Sequence, residues 1–345
     1  MLIAMLIAVA QPAPAPAGDH PVPRETHTFS DWVVACDNTR RCQAVGVQPE
    51  GRENFTPNGI MSIERGPGAD APLIFRLSQV EGAPTQLVIY EEVMPVRLTE
   101  NEGEYVVEPQ DRATFLSRIS YNAELTLKDA AGTAIGQISL DGIRGAMLYM
   151  DEAQGRLHTT TALIRSGRRP ASDVPAAPPV PSVRLAPATS EAPLAIPAAR
   201  IARLRRDNQC VVGDVGGPDE AQTAALGGGR TLVLLACGSG AYNVTMVPFI
   251  ATRQGRDIRI EPAPFDIPLE TYEEEEGHRA LINGYWEAPS RTLLDFSKGR
   301  GFGDCGSRST YGWDGERFRI VAREEMPECR GSWVYVTTWR AELIP

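Results

Sequence analysis

At 345 residues the chain exceeds one ordinary domain, and two is its natural division. Hydrophobic residues make up 42% of it, enough for each half to bury a core of its own. Its 34 basic and 44 acidic residues leave a formal charge of −10, the wrong sign for a nucleic-acid binder; the basic clusters Arg168-Arg169 and Arg203-Leu204-Arg205-Arg206 read as solvated flanks.

The chain opens with Met1-Leu2-Ile3-Ala4-Met5-Leu6-Ile7-Ala8-Val9-Ala10, then Pro/Ala alternation ending in Ala15-Pro16-Ala17. A short apolar run before a small-x-small site is the secretory pattern, so residues 1–17 are expected to be a Sec-type signal peptide and 18–27 a tail. The pattern departs from the usual one in having no Lys or Arg ahead of the apolar run. No cysteine follows until Cys36, which argues against a lipoprotein, and no other stretch approaches the roughly 20 apolar residues of a membrane span. A periplasmic or secreted bacterial protein is the expectation.

Residues 28–168 read as one β-rich domain with two short helices. Strand-like runs occur at Trp32–Ala35, Leu73–Leu77, Gln86–Tyr90, Glu104–Val107, Ala123–Leu127 and Ala134–Leu140, separated by Gly, Pro, Asn and Asp. Helical spacing appears twice. Asp111–Ile119 places Phe115, Leu116 and Ile119 on one face with Asp111 as N-cap, and Ile143–Asp151 would bury Met147 and Leu148.

Residues 169–199 change character, with prolines at 170, 175, 178, 179, 181, 187, 193 and 197 among Ala, Ser and Val. Such a segment favours extended polyproline II, and it reads as a semi-rigid linker between halves that do not share a core. The second domain, 200–345, starts with a short helix at Ile201–Arg206. Strands are then predicted at Thr231–Ala236, Tyr242–Phe249, Arg256–Ile260, Thr292–Phe296, Arg317–Ala322 and Trp333–Trp339. Asp314-Gly315 marks a hairpin turn, and the acidic run Glu273–Glu276 an exposed loop. The fold class is therefore mainly β (α+β): two antiparallel, sandwich-like domains with a few short helices.

Six cysteines, an even number in an exported chain, imply three disulfides. Cys36 with Cys42 is close to forced because the other four lie beyond the Pro/Ala segment; Cys210, Cys237, Cys305 and Cys329 allow three pairings, of which Cys210–Cys237 with Cys305–Cys329 is preferred. The competing reading is zinc, but Cys36-x₅-Cys42 is too widely spaced for a zinc knuckle and no histidine lies close by. No metal and no cofactor is expected.

Chemistry-bearing motifs are scarce. The chain has four histidines and two lysines, Lys128 and Lys298, and it lacks His-Glu-x-x-His, Gly-x-Ser-x-Gly, Ser-x-x-Lys and a calcium loop. Gly301-Phe302-Gly303-Asp304-Cys305-Gly306 matches Gly-x-Gly-x-x-Gly formally, yet Ser307–Trp313 has no helical periodicity to supply the N-terminus that motif needs. A disulfide-locked turn is the better reading. Asp304 and Asp314 are the carboxylates to inspect for a glycosidase-like pair; the plainer expectation is that both serve turns.

Several motifs in the second half carry a resemblance. They are Cys237-Gly238-Ser239-Gly240-Ala241-Tyr242-Asn243, Gly299-Arg300-Gly301-Phe302-Gly303-Asp304-Cys305-Gly306, Trp313-Asp314-Gly315-x-x-Phe318, Cys329-Arg330-Gly331 and Trp339-Arg340. With the N-terminal half, this string resembles the exported bacterial family known as domain of unknown function 1176. Phe29-Ser30-Asp31-Trp32-Val33-Val34-Ala35-Cys36, Cys42 and Leu140-Asp141-Gly142 also resemble the invasion-associated locus B family. The first resemblance implies export, paired cysteines and β-rich folding, and brings no catalytic residues.

The reading is a non-enzymatic envelope protein that binds a protein or a cell-surface glycan. Its candidate polar-aromatic surface is Tyr242, Asn243, Arg300, Asp304, Trp313 and Trp339, each of which would alternatively be scaffolding around the disulfides. The rival is a carboxylate-dependent periplasmic hydrolase of peptidoglycan or polysaccharide. Oligomeric state is not legible.

Overall fold

The structure, a computed structural model, describes residues 21–51, 58–210, 221–269, 271–272 and 278–345. The expected signal peptide, the first residues of the tail and the acidic run 273–276 lie outside the described residues.

In the first half the strands are β1 (His27–Phe29), β2 (Trp32–Cys36), β3 (Cys42–Gly46), β4 (Asn58–Arg65), β5 (Leu73–Val80), β6 (Gln86–Ile89), β7 (Glu92–Val93), β8 (Leu98–Asn101), β9 (Glu104–Val107), β10 (Glu124–Lys128) and β11 (Ala134–Ser139). They form an antiparallel sheet ordered β1-β2-β3-β4-β5-β9-β8 and a second ordered β11-β10-β6-β7. Trp32, Val34, Phe75 and Leu77 of the first sheet share a core with Leu87, Leu125 and Ile138 of the second. Helices α1 (Arg112–Ile119) and α2 (Ile143–Ala153) add Phe115, Ile119, Met147 and Met150 to it. Two details differ from expectation. Asp111 makes no cap bond, because its carboxylate accepts from the amide, Nε and Nη2 of Arg97; and α2 buries Ile143, Ala146, Met147 and Met150 while Leu148 is only half-buried. Gly142 begins α2 at φ +89, with the carbonyl of Phe29 1.7 Å from where a Cβ would stand.

A buried polar knot holds the end of this half. Asp151 accepts from the amides of Leu163 and Ile164 at 2.8–3.0 Å, and Arg156 donates to Gln154, Thr161 and the carbonyls of Gly68 and Ala69. Burial raises the Asp151 carboxyl above its usual range and lowers Arg65 to about 10. Asp151, Gln154, Arg156 and Arg65 are buried, and the knot reads as a lock on the loop after α2.

The Pro/Ala segment is not a free linker. Its Pro-free stretch forms β12 (Ser182–Arg184), and Val183 and Leu185 are buried. The second half contains α3 (Ala198–Asp207), β13 (Gln222–Gly227), β14 (Arg230–Ser239), β15 (Val244–Gln254), β16 (Asp257–Pro262), β17 (Thr271–Tyr272), β18 (His278–Arg279), β19 (Leu281–Ile282), β20 (Tyr285–Glu287), β21 (Thr292–Lys298), β22 (Gly306–Trp313), β23 (Phe318–Met326), β24 (Val336–Arg340) and β25 (Glu342–Ile344). β12 pairs in parallel with β25, and Ala186 donates its amide to the carbonyl of Trp313 at 2.8 Å. Three residues without proline restore the amides a ladder needs, which corrects the expectation of a polyproline II linker throughout.

β13-β14-β15-β16 and the meander β20-β21-β22-β23-β24 face each other across a core of Leu232, Leu234, Met246, Leu293, Tyr311 and Phe318. The other face of β14 and β15, with Val233, Leu235, Val247 and Phe249, is covered by Leu194, Ile196 and α3 residues Ile201 and Leu204. The protein is mainly antiparallel β with short helices, as expected. Cysteines pair as Cys36–Cys42, Cys210–Cys237 and Cys305–Cys329.

Contrary to the expectation of separate cores, the halves share one. β2 is buried on both faces: Trp32 and Val34 enter the first core, whereas Val33 and Ala35 join Val45, Val47 and Ile60 against Met326, Tyr335, Val336 and Cys305. Polar contacts frame this cluster. Arg330 donates to Asp31 at 2.9 Å and to the carbonyl of Ser30 at 2.6 Å, and Arg340 donates to Asp37 at 2.9 Å. Asn38 exchanges both bonds with the backbone of Arg340, at 2.9 and 2.8 Å.

Candidate functional site

At the junction of the halves, the Cys305–Cys329 disulfide pins two loops side by side, residues 299–305 and 329–335. Gly299 closes the first by donating to the carbonyl of Cys305 at 2.8 Å, and Gly303 donates to Arg300 at 2.9 Å. Gly306 adopts φ +128 where a Cβ would fall 1.9 Å from the carbonyl of Ser297, so only glycine lets the chain enter β22 here. The Gly-x-Gly-x-x-Gly match thus leads into a strand and offers no helix N-terminus to a pyrophosphate.

Asp304 is the corner's anchor. It is 1% exposed, its two oxygens accept from Nε and Nη2 of Arg300 at 2.8 and 2.5 Å, and Oδ2 also accepts the amide of Gly331 at 2.8 Å. Burial alone would raise this carboxyl, but the Arg300 hydrogen bonds and the Gly331 amide outweigh it and hold it below its usual range. It is an ionised bridge between the loops.

Around this anchor stand three exposed aromatics: Tyr242 at 40%, Phe302 at 59% and Trp333 at 53%. Each is fixed by its polar end or its backbone. Tyr242 Oη donates to Gly299 at 2.9 Å, and Trp333 Nε1 donates to the carbonyl of Phe302 at 3.2 Å. The Gln79 side chain, from the first half, accepts the Trp333 amide at 2.8 Å and donates to Gly331 at 2.8 Å. Behind them Tyr335 Oη donates to Gly303 at 3.0 Å, and burial pushes its hydroxyl up to about 12. The Arg300 guanidinium lies 5.6 Å from the Phe302 ring centre, completing a polar-aromatic surface on a rigid base.

Of the residues singled out from sequence, Tyr242, Asn243, Arg300 and Asp304 meet here. Asn243 works from behind, donating to Lys298 at 2.9 Å and accepting from Asn283 at 2.8 Å. Trp313 and Trp339 do not join them. Trp313 is 4% exposed and packs 5.0 Å from Phe318 inside the second core, and Trp339 is half-buried against the same core. Phe302 and Trp333 were missed, although a bulky aromatic between glycines, or two residues after one, next to a cysteine is a visible signal.

Asp304 and Asp314 do not form a catalytic pair. They sit at opposite ends of β22, whose eight residues span roughly 25 Å, against the ~5–10 Å that glycosidase carboxylates require. Asp314 accepts from the amides of Glu316 and Arg317 and from Arg319 at 2.6–2.8 Å. Its burial is outweighed by those bonds, so it too is lowered, the opposite of a general acid. Among the described residues no three His, Cys, Asp or Glu side chains are placed to hold a metal ion, and no helix is long and apolar enough to cross a membrane.

Fold and site together define a disulfide-stapled antiparallel β-protein whose two halves close on a shared core and present a fixed aromatic corner. The family described as protein of unknown function (DUF1176) matches residues 26–342, and the chain belongs to that family. It is 31% identical over 339 residues to the uncharacterized protein YpfG of Escherichia coli (strain K12), across 90% of this chain and 91% of that one. No solved structure matches. The resemblance of the first half to the invasion-associated locus B family is not shown by these comparisons.

Proposed function

We propose that the protein is a non-enzymatic component of the bacterial envelope, periplasmic or secreted, that binds a cell-surface glycan or an envelope protein through the corner formed by Tyr242, Phe302, Trp333 and Arg300. The observation that carries this reading is three large aromatic side chains held exposed on a base that is otherwise rigid and fully bonded. Exposed aromatics with polar tips and neighbouring arginine supply contact area at small entropic cost, the composition of binding hot spots. Three disulfides are consistent with an oxidising compartment.

The test is a pull-down of the mature protein from envelope extracts with peptidoglycan sedimentation alongside, repeated with Phe302→Ala/Trp333→Ala. The reading expects a captured glycan or protein that the double variant loses while its unfolding midpoint is kept. Equal capture by both proteins would refute the assignment to this corner.

A further inference from the structure

Beside the aromatic corner, and sharing Trp333 with it, a cleft of about 390 Å³ opens between the two halves. Arg41 and Glu64 of the first half face Arg308, Glu324 and Tyr335 of the second. Two of its charges are matched already: Arg340, also on its wall, donates to Asp37 at 2.9 Å, and Glu64 accepts from Arg76 at 3.2 Å. Arg41 is exposed and Arg308 half-buried, and neither side chain has an ion-pair partner among the described residues.

Arg308 is held in an unusual way. Its guanidinium carbon lies 4.0 Å from the centre of the Tyr335 ring and 4.6 Å from that of Phe296. The two rings stand 75° apart, so cation–π contact with both holds the guanidinium in the corner between them and leaves its N–H groups for an acceptor. No hydrogen bond from those groups ends on a described residue. A guanidinium held between two rings on the wall of a polar cleft, with its donors unspent, matches a carboxylate, which accepts two parallel bonds. Glu324, opposite Arg308 in the β22–β23 register and also on the cleft wall, competes with an added anion for Arg308, which disfavours indiscriminate anion binding.

Resting on the function proposed above, we infer that this cleft is a carboxylate subsite and that the ligand is an acidic glycan: sugar rings lie on Trp333 and Phe302 while a carboxylate reaches Arg308 and Arg41. A peptide is the weaker fit. β3, β4, β22 and β23 are each paired on both sides; β24, which brings Thr337 and Arg340 to the cleft, is the edge strand of its sheet, so the preference for a glycan rests on the exposed rings of Trp333 and Phe302 beside the cleft, whose faces suit sugar rings.

The test uses the full mature chain and two probes, an oligogalacturonide and soluble muropeptides with free carboxylates, each against its carboxyl-reduced or amidated counterpart, in titration calorimetry. The expected result is about ten-fold tighter binding of at least one acidic probe than of its neutral form. Arg41→Ala and Arg308→Lys, the latter keeping charge but losing the fork, should erase that preference without moving the unfolding midpoint. Which acidic probe binds identifies the source of the carboxylate. Equal affinity for charged and neutral forms, or a preference that survives both arginine variants, overturns the subsite; if Phe302→Ala still abolishes binding in that case, the aromatic corner stands alone. Binding of no saccharide overturns the glycan assignment at both places.

Discussion

The buried contact between Asp31 and Arg330 joins residues from opposite ends of the chain, and its removal should be felt by both halves. Arg330 donates to Asp31 Oδ1 at 2.9 Å and to Ser30 at 2.6 Å, and its own carbonyl accepts from Gln48 at 2.9 Å. Among the described residues Asp31 Oδ2 accepts only from Ser139, at 2.6 Å. Both side chains are about nine-tenths buried, with 10% and 11% exposure. Arg330→Met keeps the apolar stem but leaves a buried carboxylate with one hydrogen bond, a loss of about 3–5 kcal/mol. Asp31→Asn keeps shape and the Ser139 contact, and removing the charge from its bond to Arg330 should cost about 1.5–3 kcal/mol. The double variant no longer holds an orphaned charge, so its loss should fall short of the sum by about 1–3 kcal/mol. Urea unfolding followed by tryptophan fluorescence reads this directly, because Trp32 reports the first core and Trp286 and Trp313 the second. One transition that moves as a whole is expected for every variant. Additive losses, or a second transition in which only one half shifts, would refute the shared-core account.

Other outcomes follow from the same structure. Asp304 is lowered in the folded state, so its contribution is present above its ordinary value of 3.8 and fades as pH falls below it; the stability gap between wild type and Asp304→Asn should be widest above that value and narrow as the pH is taken down through the lowered folded range. Removing the 305–329 bridge as Cys305→Ala/Cys329→Ala should cost about 3.5 kcal/mol on the chain-entropy scale, read by urea unfolding, and loosen the corner, read as faster amide exchange at 299–303 and 331–335. Gly142→Ala should destabilise by more than about 2 kcal/mol in thermal unfolding, since it meets both the left-handed backbone and the Phe29 carbonyl.

Much of the framework was legible. Period-two runs such as Leu73–Leu77 and Ala134–Leu140 fell on strands, and the helices at 112–119 and 143–153 showed their apolar spacing. β22 escaped because its residues, Gly-Ser-Arg-Ser-Thr-Tyr-Gly-Trp, carry little aliphatic surface; its neighbours β21 and β23 make it a strand by pairing on both sides. β3 and β4 were hidden for a related reason, their apolar positions being broken by Gln43, Ser62 and Glu64. The shared core left a trace in the sequence. Trp32-Val33-Val34-Ala35-Cys36 has no polar face, which a strand with one side in water would show, and both of its faces are covered. The proline count concealed the strap, because composition described the segment and the Pro-free Ser182-Val183-Arg184 decided what it does. At the site, glycine and cysteine spacing located the corner, but exposure of Phe302 and Trp333 is a property of the folded surface, and the burial of Trp313 followed from the strand that was not seen.

The most direct measurement is amide hydrogen exchange on the fully oxidised protein with and without soluble cell-wall glycan fragments. New protection confined to 242–243, 299–303 and 331–335 is what a ligand seated on Tyr242, Phe302, Arg300 and Trp333 must produce. Protection elsewhere, on the edge strand Gln222–Gly227 for example, with that corner unchanged, would contradict it.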